Sequence, residues 1–108
     1  MSLPGLVEAL QGLASRGDTI AYGDLARVLA LPNPGSIAQL TAALETTMQE
    51  DAEAGEPFRA ALCRAKTGVL PALGFFEAAA RLGRFDGEDK AGFVRAERAA
   101  LFKAAALR

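Results

Sequence analysis

Alanine makes up roughly a fifth of this 108-residue chain, and alanine has the highest helix propensity of all residues. About half of the residues are hydrophobic (51%) and 23% are charged, which are the proportions of an ordinary globular domain. A chain of this length can bury enough surface to fold without disulfides or metals. The composition therefore predicts a mainly α-helical protein with a single domain over residues 1–108.

Hydrophobic residues at helical spacing predict two helices near the start of the chain. The first is expected over residues 3–16, with Gly17 directly after its end. The second is expected over residues 22–30. The Pro/Gly-rich turn at residues 32–35 would stop it.

A third helix is predicted to begin sharply at Ser36 or Ile37. Ser36 is followed three residues later by Gln39, which is the pattern of a capping box with Ser36 as the N-cap. The far end of this helix, residues 45–56, contains five acidic residues and no basic one.

The hydrophobic pattern changes after Pro57. Residues 58–65 alternate loosely, residues 66–68 (Lys-Thr-Gly) are typical of a turn, and Val69 and Leu70 would form the returning strand. We therefore predict a small β-hairpin here. Two further helices should follow, one ended by Gly83 and one capped by Asp86, which gives a mainly α fold with a small hairpin, in the α+β class.

The reactive residue types exclude several kinds of active site. The chain has no histidine and only one cysteine, Cys63, so it cannot form a Ser-His-Asp or Cys-His arrangement or a zinc site built on imidazole or paired thiolates. Cys63 lies in a hydrophobic stretch and is expected to be a small core residue. We therefore expect a non-catalytic protein with no cofactor and no metal.

The net charge of −1 conceals a strong asymmetry along the chain. Residues 1–56 contain two basic and eight acidic residues, a net charge of −6. Residues 57–108 contain ten basic and five acidic residues, a net charge of +5. Such asymmetry can indicate an anionic partner, or the two halves can face each other and partly neutralise.

No hydrophobic run approaches the roughly 20 residues that a membrane span requires. The first residues also lack the charged and hydrophobic blocks of a signal peptide. We therefore expect a cytoplasmic protein that does not bind a membrane.

Two short motifs resemble a known family. Residues 19–26 (Thr-Ile-Ala-Tyr-Gly-Asp-Leu-Ala) and the turn at 31–36 are similar to the start of the winged helix-turn-helix DNA-binding domain of alkylguanine-DNA alkyltransferases and alkyltransferase-like proteins. The resemblance extends over residues 19–76, where Lys66-Thr67-Gly68 and Gly74-Phe75-Phe76 also resemble small uncharacterised bacterial domains of this type. It implies a winged-helix fold and DNA binding.

The chain departs from that family at the positions that carry its chemistry. The Pro-Cys-His-Arg reactive centre is absent, and its cysteine would fall near Ala60. The arginine that the family inserts into the base stack would fall near Ala38. The resemblance therefore does not imply methyl transfer or base flipping.

The resemblance also implies three contacts with DNA. Tyr22 occupies the position of the family tyrosine that meets a backbone phosphate, Ser36 lies where free helix N–H groups could receive a phosphate, and Gln39 could contact an adenine edge. Each residue also has a purely structural explanation. Tyr22 could fix a helix start, and Ser36 and Gln39 could simply cap the third helix.

The predicted hairpin would add three basic residues, Arg59, Arg64 and Lys66, that could follow a phosphate backbone or only keep a strand edge soluble. Arg95, Arg98 and Lys103 are expected on the solvent side of the last helix. The leading hypothesis is weak, salt-dependent DNA binding. The alternative is a protein-interaction module that has lost DNA binding, which the acidic run at residues 45–56 favours.

Overall fold

A computed structural model describes residues 3–107. Within that range the chain forms five α-helices, one 3-10 helix and two short strands. In chain order they are α1 (Leu6–Arg16), β1 (Ile20–Ala21), α2 (Tyr22–Val28), α3 (Ser36–Ala54), the 3-10 helix (Arg59–Leu62), β2 (Cys63–Arg64), α4 (Leu73–Arg81) and α5 (Lys90–Ala106). The expectation of a mainly helical fold with a small sheet is confirmed.

Four helices end in the same hydrogen-bonded turn, the Schellman motif. After α1, the nitrogen of Asp18 donates to the Leu13 oxygen and that of Gly17 donates to Ala14. The same pattern ends α3 at Gly55 and α4 at Gly83, and each of these glycines has a positive φ. The predicted stops at Gly17 and Gly83 are confirmed, because a glycine adopts this backbone conformation without steric cost.

The end of α2 shows the same motif with alanine in place of glycine. Ala30 has a φ of 56° and donates its N–H to Arg27, while Leu31 donates to Ala26. A left-handed conformation is unfavourable for a residue with a Cβ. The helix ends at Val28, slightly earlier than expected, and the turn that follows it places Ala30 in a strained conformation.

The predicted hairpin is wrong. Residues 58 and 60–63 are all buried in succession, so this stretch has no face that alternates toward solvent. Its first residues form the 3-10 helix, and β2 pairs in parallel with β1, with Ile20 opposite Cys63 and Ala21 opposite Arg64. The described chain thus contains no antiparallel wing.

The turn expected at residues 66–68 does form. The Ala65 nitrogen donates to the Leu70 oxygen at 2.9 Å, and the Gly68 nitrogen donates to Ala65 at 3.3 Å. We call residues 65–70 the β2 turn. It follows β2 directly and brings Val69 and Leu70 next to α5.

One hydrophobic core lies between the helices. α1 packs against α5 and the 3-10 helix, and α3 packs against α2, α4 and the 3-10 helix. The fully buried Phe58 ring meets Phe75 edge-on at a centroid distance of 6.0 Å and Phe93 at 6.4 Å. The segment predicted to form a hairpin therefore supplies residues to the centre of the core.

The last helix starts later than predicted. Its N-cap is Asp89, whose Oδ1 accepts a hydrogen bond from the Gly92 nitrogen at 3.0 Å. Asp86 instead accepts from the Glu88 nitrogen in the preceding loop. The cap prediction at Asp86 is wrong, since only Asp89 stands three residues before an N–H that the helix leaves free.

Candidate nucleic-acid interface

Arg59 does not lie on an exposed strand. Its Nε donates to Asp51 of α3 at 2.9 Å, its Nη2 donates to Glu50 at 3.2 Å, and its backbone nitrogen also donates to Asp51 at 2.9 Å. The Asp51 side chain is only 7% exposed. Because two carboxylates already neutralise Arg59, this residue has little charge to offer a phosphate.

The start of α3 differs from the predicted capping box. The N-cap is Gly35, and the Ser36 hydroxyl donates to the Asn33 side chain at 2.8 Å instead of capping the helix. Ser36 is buried, whereas the Gln39 side chain is exposed. The assignment of Ser36 as N-cap is wrong, because the turn places this residue one position inside the helix.

Tyr22 fixes the start of α2 to the loop before α4. Its hydroxyl oxygen accepts a hydrogen bond from the Ala72 nitrogen at 3.0 Å. Burial raises the pKa of Tyr22, and the hydrogen bond from Ala72 opposes that shift. Tyr22 lines a narrow cleft of about 50 Å³ together with Glu45, whose carboxylate would repel a phosphate there.

Arg64 on β2 and Arg98 on α5 are far apart in the chain, and both contact the segment around β1 and β2. Arg64 on β2 donates from Nε to the Thr19 hydroxyl at 3.3 Å, and Arg98 on α5 donates from Nε to the Ala61 oxygen at 2.7 Å. Burial lowers the pKa of the Arg98 guanidinium, and the nearby charge of Arg64 also acts to lower it. Within residues 3–107, the buried Nη2 of Arg98 has no hydrogen-bond partner.

A groove runs beside this pair, between the β2 turn and α5. It has a volume of about 520 Å³, and the residues that line it include no acidic one. They are Val69, Leu70, Ala91, Val94, Arg95, Arg98, Ala99 and Phe102. We call it the α5 groove.

Arg95 and Arg98 line the α5 groove, while Arg64 and Lys66 belong to β2 and the β2 turn, the segment that supplies Val69 and Leu70 to it. We call these four basic residues the basic face. Lys66 lies in the β2 turn, and both Lys66 and Arg95 are exposed. The ion pairs found between residues 3 and 107 involve Arg27, Arg59 and Arg84, so the basic face has no carboxylate partner there. Sequence reasoning placed Arg98 on the solvent side of α5, and only its contact with Ala61 shows that it reaches inward.

Cys63 is a core residue, as expected. It is fully buried, and burial raises the pKa of its thiol to about 12, against the opposing charge of Arg98. A thiol needs a lowered pKa and solvent access to act as a nucleophile. Cys63 has neither.

Comparison with known proteins adds no assignment. No protein-family model matches the chain, and no curated protein or solved structure shows significant similarity to it. Within residues 3–107, none of the helices combines the length and the hydrophobicity needed to cross a membrane.

Proposed function

We propose that this chain is a non-catalytic nucleic-acid-binding domain that uses its basic face. The observation that carries the proposal is a groove lined by Arg95 and Arg98 and by no acidic residue, with no carboxylate partner for either arginine within residues 3–107. Two neighbouring positive charges repel each other, and an anion placed between them relieves the repulsion. Regularly spaced phosphates are such anions.

This interface differs from the one that the alkyltransferase resemblance implies. Tyr22 shares its cleft with Glu45, and Arg59 is neutralised by α3. The basic face instead combines β2, the β2 turn and α5. The winged-helix relationship that the motifs within residues 19–76 imply stays a prediction.

Fluorescence anisotropy with labelled DNA at low and moderate salt tests the proposal. We expect a dissociation constant below about 100 μM at low salt that weakens steeply as salt is added. The double variant Lys66→Gln/Arg95→Gln should make the negative slope of log K against log salt shallower by about 2. The matched control is Arg16→Gln/Arg81→Gln, which removes two exposed charges from other helices. Its salt dependence should stay steeper than that of the Lys66→Gln/Arg95→Gln variant. Absence of salt-dependent binding by the unmodified chain would overturn the proposal.

A second candidate function is a protein-interaction module. It is favoured by exposed hydrophobic side chains, among them Val69 (71% exposed) and Leu73 (61% exposed). A partner with an acidic, hydrophobic segment would suit the α5 groove. Binding of such a peptide with no binding of any nucleic acid would select this function over the first.

A further inference from the structure

The α5 groove has a hydrophobic interior and a basic rim. Leu70, Val94 and Phe102 supply the hydrophobic lining, while Arg95 and Arg98 stand one helical turn apart on α5. A phosphate alone would leave the hydrophobic lining exposed to water, and an uncharged hydrophobic group alone would leave the charges of the two arginines unpaired. A ligand that fits both has a hydrophobic body and an attached negative charge.

An unpaired nucleotide has this composition. Its base presents two faces that stack on aromatic rings or on guanidinium planes, and its phosphate carries the charge. In a duplex these faces are stacked on neighbouring base pairs and cannot enter a groove. The half-buried Phe102 ring and the two arginines are the groups on which a base could stack.

Arg98 is incompletely paired within the described residues. Its Nε is used by the Ala61 oxygen, and its buried Nη2 has no acceptor within residues 3–107. A buried donor of a charged group is costly when it is unpaired. No carboxylate neutralises the Arg98 guanidinium within residues 3–107, and a phosphate in the groove would supply the opposite charge.

We propose that the α5 groove seats an unpaired base of single-stranded nucleic acid, with its phosphate against Arg95 and Arg98. This inference rests on the proposed function and makes it more specific: the domain binds single strands in preference to duplex. The absence of acidic residues from the groove lining gives the charge complementarity that selects this ligand over a neutral hydrophobic one.

The test compares four labelled probes of about 12 nucleotides, a length within the usual range for a single-strand site. They are oligothymidine, oligouridine, a DNA duplex, and an abasic DNA strand with the same number of phosphates. We expect oligothymidine to bind at least about fivefold more tightly than the duplex and the abasic strand, because one stacked base contributes on the order of 1–3 kcal/mol. Oligouridine differs from oligothymidine by its 2′-hydroxyl groups and by the missing base methyl group, and its binding at the level of oligothymidine would extend the site to RNA.

The outcomes separate the two proposals. Equal, salt-dependent binding of the duplex, the abasic strand and oligothymidine would overturn the groove site and leave the proposed function standing. Binding of none of the probes would overturn both. Tighter binding of oligothymidine than of the abasic strand and the duplex supports both proposals.

Substitutions at the groove provide a second test that does not depend on the probe series. Val69→Ser changes an exposed residue at the groove, and Val28→Ser, 66% exposed and outside the groove, is its matched control. We expect Val69→Ser and Phe102→Leu to weaken oligothymidine binding about threefold to tenfold and to leave duplex binding unchanged. Thermal melting confirms that each variant folds. Equal oligothymidine affinities for the folded Val69→Ser, Phe102→Leu and Val28→Ser variants would overturn the groove site.

Discussion

Asp51 accepts hydrogen bonds from both the backbone and the side chain of Arg59: one carboxylate oxygen lies 2.9 Å from the Arg59 backbone nitrogen and the other lies 2.9 Å from its Nε. The pair joins α3 to the 3-10 helix. Glu97 of α5 makes the corresponding contact from the other side, because it accepts from the Phe58 nitrogen at 3.2 Å and from Arg84 at 2.8 Å. Two acidic side chains thus accept hydrogen bonds from successive backbone N–H groups at the start of the 3-10 helix.

Replacing Asp51 should separate its role as an acceptor from its charge. Asp51→Ala leaves the Arg59 N–H without its partner and should lower the free energy of unfolding by about 2 kcal/mol. Asp51→Asn keeps an acceptor and should cost less, about 1 kcal/mol, because burial already disfavours the charged form and raises the pKa of Asp51. Urea denaturation measures both. Glu53→Ala, an exposed acidic residue of the same helix, is the control and should change little.

Ala30→Gly should stabilise the protein. The residue sits at a φ of 56°, where a Cβ is unfavourable, so glycine should raise the free energy of unfolding by about 0.5–1 kcal/mol. Ala42→Gly, at an exposed position inside α3, should lower it by about 1 kcal/mol because of helix propensity. Thermal melting of the two variants checks the contrast. An equal loss in both would show that Ala30 is not strained.

Cys63 should resist alkylation until the protein unfolds. Iodoacetamide labelling at mildly alkaline pH should be slower in the native protein than in urea by at least about a hundredfold, since the thiol is buried and protonated. Native labelling as fast as in urea would contradict the buried position.

Cys63 also predicts a loss of stability at high pH. The folded thiol has a pKa of about 12, above the ordinary value of 9.0, so the unfolded chain loses its proton first. The stabilisation from keeping the thiol neutral is complete below pH 9.0 and is lost between there and pH 12. The stability difference between the unmodified chain and Cys63→Ala, measured with urea, should therefore shrink as the pH rises above 9.0.

Tyr22→Phe tests whether Tyr22 is structural. Removing the hydroxyl deletes the acceptor of the Ala72 N–H and should lower the free energy of unfolding by about 0.5–1 kcal/mol, because Ala72 is exposed and water replaces the bond. DNA affinity should stay within about twofold, as the basic face does not include Tyr22. A tenfold loss of affinity would instead assign Tyr22 the phosphate contact that the alkyltransferase resemblance implies.

The parts of the fold that could be predicted are those with local causes. The helix ends at Gly17 and Gly83 follow from the backbone freedom of glycine, and the burial of Cys63 follows from its hydrophobic neighbours. The 3-10 helix could not be predicted, because Phe58 and Arg59 depend on acceptors from Glu97 and Asp51. An alternating pattern gives no information about acceptors on other helices.

The candidate site could be predicted only in part, for a similar reason. Charge and spacing suggested Arg64 and Lys66, which lie on β2 and in the β2 turn, the segment that supplies Val69 and Leu70 to the α5 groove. Arg98 looks in sequence like any exposed arginine of an amphipathic helix. Its contact with the Ala61 oxygen, 37 residues away in the chain, exists only because α5 packs against the 3-10 helix.

The parallel pairing of β1 with β2 has a thermodynamic consequence. It joins the acidic half of the chain to the basic half, and it holds Arg64 beside Thr19. The basic face therefore exists only while the whole domain is folded, so an anion that needs this arrangement binds the native state more tightly than the unfolded chain. Ligand binding and unfolding are then linked by mass action, and the melting temperature rises with the concentration of whatever occupies the face.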